Sequence, residues 1–245
     1  MTHATPAAPA TPPARRVRWG LDDAAAGAVG AILLVLAADW ALGQGYLTDP
    51  RLVEVLSYLV VWMPLLGSVL VACYLRGSRS LARDVGLRFH PLDLLWGLTI
   101  GLLTRVVASL FEIAGYGQMG TSGATLDAPA HDAWWIVMSL LAPVLIAPFI
   151  EELFFRGLLL RAVAAATDAR RPVALNLACV VSALVFALLH VVDAGSPTAL
   201  WVIGAGTFVF GLAAASVTAV TGRLGGAIIA HVVFNGLVVV PALLG

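Results

Sequence analysis

WWIVMSLLAPVLIAPFIEELFFRGLLL, residues 134–160, is an apolar run in which Glu151, Glu152 and Arg156 are the only charged residues. A transmembrane helix needs about 20 consecutive, mostly apolar residues to cross a hydrocarbon core of about 30 Å, and this run meets that length. Six more stretches meet it, at 24–43, 55–75, 93–115, 173–192, 199–220 and 224–244. Backbone groups in lipid have to be satisfied within their own segment, so each stretch is expected to be a helix. The sequence therefore predicts an all-α, polytopic transmembrane helix bundle of about seven spans. It divides into a tail at 1–20 and an integral-membrane domain at 21–245, with no internal repeat.

Composition agrees. Apolar residues make up 60% of the chain and charged residues 11%, whereas about a quarter of the residues of a soluble domain are charged. The net charge is zero and no lysine is present, so there is no basic field for nucleic acid and that function class is set aside. Cys73 and Cys179 stand singly in separate apolar runs, which fits neither a disulfide framework nor a zinc knuckle. The tail, MTHATPAAPATPPARRVRWG, reads as disordered and cytoplasmic; it lacks the short apolar region and small-residue cleavage site of a signal peptide.

Arginines mark one side of the membrane. Arg15, Arg16 and Arg18 lie in the tail, Arg76, Arg79, Arg83 and Arg88 after the second span, Arg161, Arg170 and Arg171 after the fourth, and Arg223 after the sixth; the alternate connections hold only Arg51. By the positive-inside rule these basic segments and the N-terminus are expected in the cytoplasm, in a multi-pass protein of the cell membrane.

Polar residues inside such spans are costly, which makes each a candidate for function. Glu152 and Arg156 stand four apart with the acid first, the favourable order for an ion pair on one helix face. Glu151 lies about 100° round the helix and is left for chemistry. The same residues also suit a purely structural clasp between helices. FALLH (186–190) places Phe186 and His190 one turn apart, and HVVFN (231–235) does the same for His231 and Asn235. A lone intramembrane histidine or asparagine often only bridges helices; what weighs against that reading is the recurrence of carboxylate, imidazole and carboxamide on three spans.

EELFFR, FALLH and HVVFN fit EExxxR, FxxxH and HxxxN patterns in that order on successive spans, with FVFGLAAASVTAVTGRLGGAIIAH (208–231) between the last two. Together they resemble the CPBP family of intramembrane endopeptidases, which includes CAAX-prenyl proteases and bacteriocin-processing or immunity proteins. The likeness begins near LARDVGLRFHPLDLLWGL (81–98), giving a protease-like core at about 81–240. The resemblance implies that Glu151 is the catalytic carboxylate, Glu152 its neighbour and Arg156 the residue holding the pair. His190 would work with Glu151 on the water, and His231 and Asn235 would line the scissile carbonyl. Amide hydrolysis requires such a base for water and such donors for the developing oxyanion.

The family has been described both as metalloproteases and as glutamate proteases without a metal. Two histidines and a carboxylate form a zinc ligand set in several hydrolases, so Glu151, His190 and His231 are the expected ligands of a divalent ion such as zinc if one is used. The expected partners are the bilayer and a membrane-bound or lipidated peptide substrate. Two other function classes are weighed beside the peptidase: a non-catalytic scaffold or immunity protein binding a partner helix, and a proton-coupled transporter, which would commonly show repeats.

Depth poses a constraint. From the cytoplasmic ends of the spans, His231 lies about 10 Å deep, Glu151 about 14–18 Å and His190 about 26 Å. One site requires the fifth span to begin some turns inside the cytoplasm, or the boundaries to shift. Among the remaining polar residues, Arg105 and Glu112 stand two turns apart on one face and are read chiefly as a structural pair. Asn176 and Ser182 are expected to bridge helices, and Trp134 and Trp135 to sit in an aromatic belt.

Overall fold

The structure, a computed structural model, describes residues 18–119, 133–192 and 194–244. The expected tail thus lies outside the described residues except for 18–20. Among the described residues every regular element is helical. In chain order these are α1 (Leu21–Gly43), α2 (Pro50–Arg76), α3 (Leu81–Asp84), α4 (Leu92–Tyr116), α5 (Ala133–Ala166), α6 (Arg171–His190), α7 (Pro197–Thr221) and α8 (Gly225–Leu244). α1, α2, α4, α5, α6 and α7 are long and apolar enough to cross a membrane, and α8 is apolar but shorter, over Gly225–Val240. The chain is an integral, multi-pass membrane protein.

Helix limits follow ordinary end signals. Asp49 and Ser196 accept the backbone N–H groups of Leu52 and Ala199, and proline follows each cap directly. Gly117 and Gly222 close α4 and α7 in the left-handed region, with φ of 77° and 69°.

Packing is inverted relative to a soluble protein. Large apolar side chains such as Leu95, Leu103, Val106 and Leu110 of α4 face outward, while Gly97, Gly101, Thr104, Arg105, Ala108 and Glu112 of the same helix face in. Lipid removes the hydrophobic drive between helices, so close approach of small residues has to supply dispersion contacts instead. Gly97 meets Ile229 of α8, Gly101 meets Val233, and Gly206 of α7 meets Ala108. Cys73 and Cys179 are both buried.

α5 is the axis of the bundle, touching α1, α2, α6, α7 and α8. Ile136–Ile146 and Leu153–Leu159 within it are wound as π-helix. In that register the carbonyl of residue 143 would pair with the N–H of residue 148, but Pro148 has none. Asn235 of α8 supplies the missing donor: its Nδ2 lies 2.8 Å from the Pro143 carbonyl oxygen. In the second π stretch Ser182 of α6 donates to the Phe155 carbonyl at 2.9 Å.

The depth constraint resolves through the start of α8. Leu224 and Gly225 donate their N–H groups to the carbonyls of Gly86 and Arg88, which hang α8 on the turn before α4. From Gly225 to His231 the helix climbs about 9 Å, whereas Arg171 to His190 climbs about 28 Å. His190 and His231 nevertheless meet the same carboxylate, so the α5–α6 hairpin projects beyond the first turn of α8 by well over two turns. Asp168, Arg170, Arg171 and Asn176 are exposed on this projection, which corrects the bridging role expected of Asn176.

Candidate active site

Glu152 and Arg156 are both fully buried on the inner face of α5. Arg156 Nη1 donates to Glu152 Oε1 at 2.8 Å, and Nη2 donates to the Gly211 carbonyl at 3.3 Å. Its guanidinium carbon lies 4.4 Å from the Phe186 ring centroid, with Phe210 and Phe155 at 5.6 and 5.7 Å. The cation is thus compensated by one carboxylate and three aromatic faces. A side chain at Gly211 would press on both Nη2 and Ala183.

The same Glu152 oxygen lies 2.8 Å from His231 Nδ1. That oxygen accepts from Arg156 as well, so the bond to His231 is one in which Nδ1–H donates. His190 is fixed in a parallel way: its Nδ1 lies 2.8 Å from the Phe186 carbonyl, a group that only accepts. Phe186 therefore serves twice, its carbonyl orienting His190 and its ring lying against both imidazoles and the guanidinium.

With both Nδ1 atoms committed, both Nε2 atoms face Glu151. Its Oε2 stands 3.9 Å from His190 Nε2 and 3.8 Å from His231 Nε2. That carboxylate oxygen is buried and makes no hydrogen bond to the described residues. The fold thus gathers a carboxylate oxygen and two imidazole nitrogens, acceptors in the neutral rings, around a common point. Such a group is satisfied by a small donor such as water.

The separations discriminate between occupants. Hydrogen bonds of about 2.8 Å would meet at one atom with angles of roughly 85–90°, which a water accepts. Zinc at about 2.1 Å would need roughly 130–140° between the oxygen and each nitrogen, far from tetrahedral. Among the described residues no three His, Cys, Asp or Glu side chains form a metal-holding group. The zinc set expected on Glu151, His190 and His231 therefore does not fit as these side chains stand.

His190, His231 and Asn235 line a cavity of about 630 Å³, together with Phe186, Phe210 and Phe234. Glu151 is not among the lining residues and meets the cavity through the two imidazoles. Asn235 keeps one N–H on Pro143, leaving its second amide hydrogen and its carbonyl oxygen for other contacts. Arg105 and Glu112 pair with each other, as expected, and also line the cavity. Glu54 and Tyr58 line it too, held by bonds from Trp134 Nε1 to Glu54 and from Tyr58 to the Met138 carbonyl. Sequence reading passed over this last pair because the second span was begun at 55; the i, i+4 spacing of Glu54 and Tyr58 was the available signal.

Residues 133–237 match the family model described as Type II CAAX prenyl endopeptidase Rce1-like, which bears out the resemblance to the CPBP intramembrane proteases. The match contains all six singled-out residues and begins where α5 begins. No curated protein and no solved structure matches the chain.

Proposed function

We propose that this protein hydrolyses a peptide bond of a membrane-bound or lipidated substrate with water activated by Glu151. The observation that carries the reading is the buried Glu151 oxygen, without a donor among the described residues and faced by two imidazole nitrogens whose other nitrogens are anchored. A water placed there donates one hydrogen to Glu151 and the other to an Nε2. As its oxygen attacks the carbonyl carbon, Glu151 takes the proton, and it later returns that proton to the leaving nitrogen. His231, its Nδ1–H held on Glu152, and His190 present Nε2 to the water's other hydrogen, and the second amide hydrogen of Asn235 is directed to the oxyanion. Arg156 and Glu152 hold His231 and do not touch the substrate.

The test is Glu151→Gln in purified protein presented with membrane-bound or lipidated peptides. This change retains size and hydrogen-bonding capacity but removes the base, and cleavage is expected to vanish with thermal stability close to wild type. Cleavage at the wild-type rate would remove Glu151 from the chemistry. Wild-type activity is expected to survive a chelator; its loss, restored by a divalent ion, would overturn the metal-free route in favour of ligation by Glu151, His190 and His231. A wild type that binds a partner helix yet cuts nothing would return the scaffold reading.

We further place the N-terminus in the cytoplasm at the cell membrane. Support comes from the clustering of basic groups at one end of the bundle: Arg76 bonds Asp22 and Asp23, Arg223 bonds Asp93, and Arg88 and Arg161 both donate to the Gly222 carbonyl. With Asp168→Cys, an impermeant thiol reagent should fail to label intact cells; labelling would reverse the orientation.

A further inference from the structure

Two cations at one end of the bundle share a neutral acceptor and have no acid between them. Arg161, in the last turns of α5, and Arg88, on the turn before α4, each donate from Nη2 to the Gly222 carbonyl, at 3.0 and 3.2 Å. The two nitrogens therefore lie no more than about 6 Å apart, close enough for like charges to repel. Neither guanidinium has a carboxylate partner among the described residues. The acids of the same connection are already committed: Asp93 to Arg223 and the His90 N–H, Asp84 to the Ser78 N–H. Arg161 Nε is buried without a partner, whereas its Nη1 is not closed off. Arg88 is exposed, and its Nε and Nη1 make no bond to the described residues.

The backbone makes room for this arrangement. Gly86 has φ of 76°, and a side chain there would strike the Arg161 guanidinium and the Gly222 carbonyl, so the arginine lies directly over the turn. That turn also carries α8, through the bonds from Leu224 and Gly225 to the carbonyls of Gly86 and Arg88. The end of α5, the turn before α4 and the α7–α8 turn thus meet where two positive charges face one carbonyl. A carbonyl offers them lone pairs without a charge, and a phosphate offers both.

The surroundings specify what carries the phosphate. Phe89 follows Arg88 and is exposed, as are Leu92, Leu95 and Trp96 in the first turns of α4. Trp96 suits the interfacial aromatic belt of a membrane protein, and Leu103 and Leu110 continue the exposed apolar track along α4. A headgroup at the two arginines would have its acyl chains on that track.

We propose that Arg88 and Arg161 form a binding site for the phosphate of an anionic phospholipid, which braces the joint on which α8, and with it His231, is set. A zwitterionic lipid brings its own cation and leaves the pair uncompensated, whereas an anionic lipid supplies net negative charge. Basic residues beside a span attract anionic lipid diffusely; two convergent guanidinium groups differ from that in depending on particular arginines. Binding here requires no turnover and stands apart from the hydrolytic reading.

The experiment titrates purified full-length protein in neutral detergent with phosphatidylglycerol, phosphatidylcholine and inorganic phosphate, counting bound lipid by native mass spectrometry and following Tm. Wild type should retain phosphatidylglycerol at least about tenfold more tightly than phosphatidylcholine, with a rise in Tm that phosphatidylcholine does not give. Arg88→Gln, at an exposed position, should bring phosphatidylglycerol down to the level of phosphatidylcholine, and Arg88→Lys should keep part of the preference. Arg161→Gln should behave as Arg88→Gln, and wild-type binding by it would remove Arg161 from the site. Arg170→Gln, exposed on the α5–α6 projection, should bind as wild type. Equal retention of the two lipids by wild type would overturn the proposal, and that comparison needs no variant. A loss in Arg170→Gln equal to that in Arg88→Gln would reduce the site to diffuse charge and overturn it as well. The same rise in Tm from inorganic phosphate alone would overturn the assignment to lipid.

Discussion

Two arginine–glutamate pairs lie inside this bundle, and they differ in what closes around them. Arg156 and Glu152 have no exposed side-chain surface, and three aromatic rings and a backbone carbonyl enclose the cation. Arg105 and Glu112 stand at the wall of the cavity. Enclosure makes the first pair a fixed mount: the carboxylate oxygen that holds Arg156 also holds His231, so the imidazole cannot turn without breaking a buried hydrogen bond. The second pair borders the cavity, where an incoming group can reach its guanidinium. A buried ion pair is weak evidence for stability, since desolvation offsets much of its attraction, and its surroundings say more about its role than its distance does.

Removing one member of each pair should expose the difference. Arg156→Ala leaves Glu152 in a sealed site without its cation and with only His231 Nδ1–H as donor, and the expected loss is about 3–5 kcal/mol in thermal or denaturant unfolding in detergent, together with all activity. Unfolding close to wild type would mean the cage is not closed. Glu152→Gln should cost less stability but still lower kcat by about a hundredfold, because the amide no longer anchors His231 as an anion does. Retained kcat would show that His231 is positioned by its aromatic neighbours alone. Arg105→Gln should be the mildest for folding, at about 1–3 kcal/mol or less where cavity water solvates Glu112. A destabilisation matching that of Arg156→Ala would make the second pair structural and erase the contrast.

The membrane class, the spans and the five residues that meet around Glu151 and His231 were legible because each rests on a local signal: an apolar length, an i, i+4 spacing, or a charge where lipid forbids one. Glu152 with Arg156 and Phe186 with His190 are within one turn, so helix geometry alone places them on common faces. The convergence of α5, α6 and α8 was not legible, because it depends on α8 starting on the Gly86–Arg88 turn, a contact between segments more than 130 residues apart. The second task of Asn235 was hidden as well. Nothing local announces that the Pro143 carbonyl lacks a donor until the π register of α5 is seen to place Pro148 opposite it. The cavity role of Glu54 and Tyr58 likewise emerges only when α2 is packed against α5.

The central claim is that Glu151 acts on water as a base and does not itself attack the peptide. Single-turnover cleavage in water enriched in oxygen-18, with enzyme in excess, separates the two by mass. The account predicts one heavy oxygen in the new carboxyl terminus of the product and none in the Glu151 carboxylate. Heavy oxygen in Glu151 after one turnover, or an acyl adduct trapped on it, would show a covalent intermediate and contradict the account.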